Sequence, residues 1–389
     1  MRYRLFRSFG ITVAGLLSLL CIPSLAMVPV LPAGNFTAQA WLLVESRSGA
    51  ELAAQAPDLR LPPASLTKLM TAYVLFGDIR RGTLKLDEFI VVKASATKLP
   101  GARMFLRDGE SVSVENLLKG MLVESGNDAA YSLADYAGPG LKQFVARMNE
   151  AADRLGLRDT HYTNPIGFQD SAHYSSARDL ARLVIALRHD FPEHLHFFAL
   201  RDFTWADIRQ PNRNLLLRDQ GVDGMKTGHT ATAGYCMVAS AEREGQHLIA
   251  VLLGAADERQ RARETRALLH FGTQHFETRR LYSAQSPIRE IPVRGGQRAS
   301  VALGVPEDLF LTLPRGEFSK LTNRAQLPRE LPAPVLSGQV AGTLDMVFED
   351  RSLRSVPLVT LEANPTGGLL KRFAGVLHGW FESKAQDAP

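Results

Sequence analysis

The sequence predicts an α/β protein: a sheet interrupted by a helical lobe, followed by a small all-β domain. Three observations carry this. Strand signals occur near residue 40 and return after residue 220, a long tract of helical periodicity lies between them, and short alternating segments separated by Gly and Pro begin after about residue 282. At 389 residues the chain can fill two or three cores.

Arg2, Arg4 and Arg7 precede an apolar run over 11–22, and Ser24-Leu25-Ala26 offers small residues where a signal peptidase cuts. Residues 1–26 therefore read as a secretory leader cleaved after Ala26, since the run is too short to cross a bilayer. Cys21 follows the bulky Leu20, which argues against lipoprotein processing. Without the leader Cys236 is the only cysteine, so the core and not a disulfide must hold the fold. The net charge of +5 comes from basic residues scattered among forty acidic ones, which argues against a nucleic-acid partner.

Residues 39–44 (Q-A-W-L-L-V) read as a strand, and Ser48-Gly49 as a hairpin turn to a second. Pro62-Pro63 mark a helix start, because fixed φ and a missing N–H cost nothing in a first turn, and 66–76 is apolar enough for a helix buried on almost every side. Further helices are expected over 114–123, 128–137, 141–155 and 177–188. The pattern fails over 160–176, where Asn164-Pro165-Ile166-Gly167 marks a long loop. Strands are expected over 222–228, 234–241 and 247–253, and a helix over 259–271. The all-β domain is expected over 283–364. In the last segment, 365–389, the residues Leu369, Leu370, Phe373, Val376, Leu377, Trp380 and Phe381 share one helical face. A helix over 369–382 would be about 21 Å long against a bilayer core of about 30 Å, so it would lie on a membrane and not span it.

Three short motifs carry the chemistry. Ser65-Leu66-Thr67-Lys68 sets a hydroxyl at the mouth of the buried helix, with an amine on the same face three residues on: a nucleophile beside a base. Ser95-Ala96-Thr97-Lys98 has the same spacing, but Pro100 and Gly101 follow at once, and it reads as a turn. Ser125-Gly126-Asn127 is the only S-x-N in the chain and falls between two expected helices. Lys226-Thr227-Gly228 is the only K-T-G and lies at a strand edge.

In this order the motifs resemble the penicillin-recognising serine enzymes, and within them the low-molecular-mass penicillin-binding proteins, the D-alanyl-D-alanine carboxypeptidases. P-A-S-L-T-K-L-M-T-A-Y-V, E-S-G-N-D-A-A, Y-S-S-A-R-D-L-A, N-R-N, V-D-G-M-K-T-G-H-T and A-G-Y all fit, over residues 27–282 for the catalytic domain. The resemblance implies a five-stranded antiparallel sheet and a peptidoglycan stem peptide ending in D-Ala-D-Ala as substrate. It also implies β-lactams as covalent inhibitors, no cofactor, and attachment to the periplasmic face of the cytoplasmic membrane through the C-terminal helix. It makes Ser65 the nucleophile, Lys68 its base, with an amine pKa lowered by Lys226, and Ser125 a proton relay. Asn127 orients the peptide, the N–H groups of Ser65 and His229 form an oxyanion hole, and Lys226, Thr227 and Gly228 line the substrate. Arg261, with Arg213 as second choice, reads its carboxylate, and a strand over 251–254 running beside 226–228 would bring Arg261 there. Arg259 and Arg263 alternate with Arg261 and compete for that register.

A β-lactamase uses the same motifs, but the one most like this chain needs a glutamate in the 160–176 loop, which holds only Asp170. A D,D-endopeptidase differs in what lies beyond the scissile bond. A silent peptidoglycan-binding envelope protein would not need intact motifs. A zinc peptidase would need H-E-x-x-H spacing, which is absent; His194-Leu195-His196 reads as surface or partly buried histidines, and no metal is inferred.

Overall fold

The computed structural model describes residues 36–368. The leader over 1–26 and the amphipathic helix over 369–382 lie outside the described residues. Strands β1 (Ala40–Glu45), β2 (Glu51–Gln55), β3 (Val222–Thr230), β4 (Gly234–Arg243) and β5 (Gln246–Ala255) form one antiparallel sheet in the order β2-β1-β5-β4-β3. The period-two alternation of a strand sends neighbouring residues to opposite faces. Leu42, Val238, Ile249 and Val251 join the core shared with the helical lobe, while Leu43, Met237, Ala239, Leu248 and Leu252 join a second core. The second core is covered by the C-terminal helix of the domain, Glu258–His275. Buried on both faces, β5 reads in the sequence as a continuous apolar run.

Between β2 and β3 the chain builds the lobe. Helix α1 (Thr67–Arg80) packs against α2 (Asn127–Ala137), α3 (Leu141–Arg154) and α4 (Ala177–Asp190), and is buried at every residue from Thr67 to Phe76. Ser176 caps α4 by accepting from Asp179 N–H, and Asp257 caps α5 (Glu258–His275) by accepting from Gln260 N–H. The helix expected over 114–123 is instead a short α-helix, Val114–Lys119, that widens into a π-turn over Gly120–Glu124. Ser95 is exposed on a single helical turn, Ala94–Thr97, and Lys98, also exposed, caps its C-terminal end. His194 is buried against the Phe76 ring at 4.7 Å, and His196 is exposed.

The β region opens at Phe276, ahead of the expected boundary, because Phe276–Tyr282 pairs with Leu309–Pro314. A six-stranded sheet holds the remaining strands over two apolar clusters. At its far end Gln297 N–H donates to Pro365 O (2.9 Å) and Gly367 N–H to Gly295 O (2.8 Å), so residues 365–367 belong to this region and not to an anchor. Ser48 and Thr312 hydroxyls meet at 2.6 Å, and Arg354 donates to Ser48 O at 2.8 Å, which ties the β region to the first sheet. Among the described residues no helix is long and apolar enough to cross a membrane.

Candidate active site

Ser65 lies in a 3-10 turn, Ala64–Leu66, that leads into α1. Its Oγ is 3.0 Å from Lys68 Nζ. The same nitrogen is 2.8 Å from Asn127 Oδ1 and 3.1 Å from Ile166 O. Lys68 is fully buried, and loss of water brings its amine down to about 7; Arg213 pushes the same way and Asp128 opposes both. The cation expected to do this, Lys226, is itself held well below the ordinary lysine value, by burial first and next by repulsion from Lys68, a repulsion the two amines share. At neutral pH a large share of Lys68 is therefore an amine with a free lone pair beside the hydroxyl.

The backbone under the nucleophile is strained and braced. Ala64 has φ of +49°, a region that costs a residue with a side chain. His173 Nδ1 accepts from Thr163 N–H at 3.1 Å, so its Nε2 carries the proton and donates to Thr67 Oγ1 at 2.8 Å. Thr67 in turn donates to Ala64 O at 2.8 Å. Burial lowers His173 to about 4, which keeps it neutral in this role. Gly167, at φ +89°, presses on the other side: a Cβ there would lie 1.9 Å from Ala64 O. Gly228 lets β3 close on the same turn, since its Cβ would meet Pro63 O at 2.9 Å.

The π-turn delivers Ser125. Ser125 N–H and Gly126 N–H both reach Gly120 O, and Ser125 adopts φ of +69°, which turns its side chain into the pocket. Ser125 Oγ is buried and has no hydrogen-bond partner among the described residues. Asn127 uses both ends of its amide inside the protein: Oδ1 takes Lys68, and Nδ2 donates to Pro100 O at 2.7 Å. Asn127 thus holds Lys68, and it also lines the pocket where the substrate amide is expected. Asp128, 1% exposed, accepts from Met104 and Leu106 N–H at 2.8 and 3.1 Å and so pins the segment that carries Pro100.

The other end of the site is cationic. β3 is the edge of the sheet, so Thr227, Gly228 and His229 face the pocket with no strand beyond them. Lys226 Nζ donates to Thr227 O at 2.9 Å. The strand order corrects the expected neighbour of β3: β4 lies between it and β5, with Lys226 opposite Val238 and Val238 opposite Val251. Arg261 still reaches the pocket, because α5 folds back over the sheet. It is 4% exposed, pairs with Glu258 at 2.8 Å, and lies 5.8 Å from the Tyr235 ring centre. Its Nε is buried without a hydrogen-bond partner among the described residues. Arg259 and Arg263 point to solvent, which fixes the register. Arg213 is exposed and ion-paired with Glu124.

One pocket of 660 Å³ joins these parts, from Pro100 and Phe168 at one end to Arg213 and Arg261 at the other, with Lys68 and Lys226 buried behind it. The 160–176 loop contributes Ile166, Gly167 and Phe168 to the wall; Asp170 is exposed and accepts from Ala172 N–H at 2.8 Å. Among the described residues the one carboxylate lining the pocket is Glu258, at the cationic end. Among the described residues no cluster of three or more metal-ligating side chains occurs.

Sequence reasoning missed Ile166, Gly167, His173, Tyr235 and Glu258. The Asn164-Pro165-Ile166-Gly167 loop carried a signal for two of them, because Asn164 Oδ1 accepts from the N–H groups of Gly167 and Phe168 at 2.8 and 3.0 Å, an Asn-built turn that aims Ile166 O at Lys68. Tyr235 sits in the A-G-Y run but meets Arg261 only across the sheet edge.

The chain matches a family profile described as D-alanyl-D-alanine carboxypeptidase over residues 27–257 and a second, penicillin-binding protein 5 C-terminal domain, over 276–366. It is 36% identical to D-alanyl-D-alanine carboxypeptidase DacD of Salmonella typhimurium, across 99% of this chain and all of that one. It is 39% identical to D-alanyl-D-alanine carboxypeptidase DacC of Escherichia coli, across 90% and 91% of the two chains. Penicillin binding protein 5 from Haemophilus influenzae superposes with a TM-score of 0.82 at 38% identity, covering 87% of this chain and all of that one.

Proposed function

The chain belongs to the D-alanyl-D-alanine carboxypeptidase family, and from that premise we propose how its residues divide the work. It is a serine-type D-alanyl-D-alanine carboxypeptidase that acts on peptidoglycan stem peptides through an acyl-enzyme and binds penicillins covalently. Ser65 Oγ attacks the carbonyl of the penultimate D-Ala. Lys68, neutral in part at pH 7, takes the hydroxyl proton. The amide C–N bond breaks, the departing D-Ala nitrogen is protonated through Ser125, and water later cleaves the ester to free the shortened peptide and Ser65. The N–H groups of Ser65 and His229 face the oxyanion, and Thr227, Arg261 and Arg213 hold the terminal carboxylate.

The observation that carries this reading is the 3.0 Å contact between Ser65 Oγ and a buried Lys68 whose pKa is near 7, at one end of a pocket whose other end holds a buried guanidinium with a free Nε. A glutamate-activated water for fast deacylation, the β-lactamase device, is not supported by the exposed Asp170. Export by the leader over 1–26, and attachment to the periplasmic face of the cytoplasmic membrane by the apolar stripe over 369–381, complete the reading; the sequence pattern of both segments supports it. Mass spectrometry after incubation with a penicillin and with a stem pentapeptide tests it: a long-lived adduct on Ser65 and released D-Ala are expected, both lost in Ser65→Ala. An adduct on Ser95 or on any other serine would overturn it.

A further inference from the structure

The end of the pocket that receives the substrate's α-carboxylate already holds a carboxylate of the protein. Glu258 lines the pocket there and accepts from Arg261 Nη2 at 2.8 Å. The second arginine at that end, Arg213, is ion-paired with Glu124. Each arginine therefore carries a carboxylate partner before any substrate arrives. The two carboxylates differ in freedom. The Glu124 side chain is 13% exposed, whereas that of Glu258 is 54% exposed in the first turn of α5, and among the described residues Arg261 is its only hydrogen-bond or ion-pair partner.

This pairing satisfies only half of the guanidinium edge. An arginine forks a carboxylate with Nε and Nη2, as Arg266 does on Asp219 (2.7 and 3.3 Å) and Arg178 on Asp58 (2.5 and 3.2 Å) elsewhere in the chain. At Arg261 one oxygen of Glu258 takes Nη2, and Nε is left buried without a hydrogen-bond partner among the described residues. A buried guanidinium needs an anion: burial presses hardest on the charge of Arg261, and Glu258 is the first group that sustains it. We propose that Glu258 is a stand-in for the substrate's α-carboxylate: it keeps Arg261 paired in the empty site, swings into solvent when a peptide terminus takes the Nε and Nη2 edge, and so sets how tightly a free terminus is held. This deepens the carboxypeptidase reading above and rests on it. The exchange costs the substrate the Arg261 to Glu258 pair, and it speeds the departure of D-Ala, whose carboxylate meets the same returning competitor.

The test uses the full chain and the variant Glu258→Gln, which keeps the side-chain length and an oxygen that accepts from Arg261 but removes the charge, at an exposed helix position where such a change leaves the fold intact. KM for a stem pentapeptide with a free D-Ala–D-Ala terminus should fall by about fivefold with kcat little changed, the size of one exposed ion pair that no longer has to be broken. The same peptide with an amidated terminus should show no such gain, and in an Arg261→Ala background the gain should vanish. Acetate, set against chloride at equal ionic strength, should inhibit the variant at about fivefold lower concentration than the unmodified enzyme. A KM for the free acid that is unchanged or raised in Glu258→Gln, or an equal fall on the amidated peptide, would overturn the proposal. So would a lower kcat at unchanged KM, which would assign Glu258 to holding Arg261 in place. Failure of the unmodified enzyme to release D-Ala would instead remove the carboxypeptidase reading, and this proposal with it.

Discussion

Lys68 should set the pH dependence of acylation. Its amine is brought to about 7 by burial, with Arg213 adding to the shift. Only the neutral amine can accept the Ser65 proton, so the sign is fixed: the rate rises with pH and levels off above the pKa. At pH 6 about one-tenth of Lys68 is neutral and at pH 8 about nine-tenths, a change of roughly tenfold. The assay is single-turnover acylation by a fluorescent penicillin at low concentration between pH 5 and pH 9, read as a second-order rate. An ordinary exposed lysine would give a rate still climbing about tenfold per pH unit at the top of that range. Arg213→Ala removes a cation that disfavours the charged amine, so the limb should move to higher pH. A profile flat from pH 6 to pH 8, or a limb unmoved or moved downward in Arg213→Ala, would refute the reasoning.

Arg261→Ala should lower kcat/KM for a peptide with a free terminal carboxylate by roughly 10 to 150 fold, the equivalent of about 1.5 to 3 kcal/mol for a charge-assisted hydrogen bond, and leave the amidated peptide unchanged. Equal losses on both would assign Arg261 to the fold. His173→Leu removes the donor to Thr67 and should lower kcat about tenfold with little change in KM, whereas His173→Gln, which keeps a donor and an acceptor, should restore most of it; similar kcat values for the two would dismiss the brace under Ala64. Truncation after Gly368 should release the protein from membranes with full peptidase activity, measured by sedimentation and D-Ala release. The cut belongs there and not before Pro365, because residues 365–367 are hydrogen-bonded to 295–297. A truncated form that still pellets with membranes would show that the stripe over 369–381 is not the anchor.

The sequence by itself determined the elements and the reacting groups. Apolar periodicity marked β1, α1 and β5, since nearly every residue there is buried and a buried segment must be apolar whatever surrounds it. Ser65 and Lys68 were legible because both lie within one turn of chain, where spacing alone fixes proximity. Only the tertiary structure decided what depends on surfaces far apart in sequence. The strand order put β4 between β3 and β5 and left β3 as an open edge, which no local pattern encodes. The lowered pKa of Lys68 came first from burial among α1, α2 and the 160–176 loop, which no motif encodes. Asn127 was found to hold Lys68 as well as to line the pocket, and Arg261 lines the pocket while Arg259 and Arg263 do not because one face of α5 turns toward the pocket and the other toward water. Local sequence fixes backbone preference and side-chain chemistry; solvation and long-range pairing exist only once the chain has closed on itself.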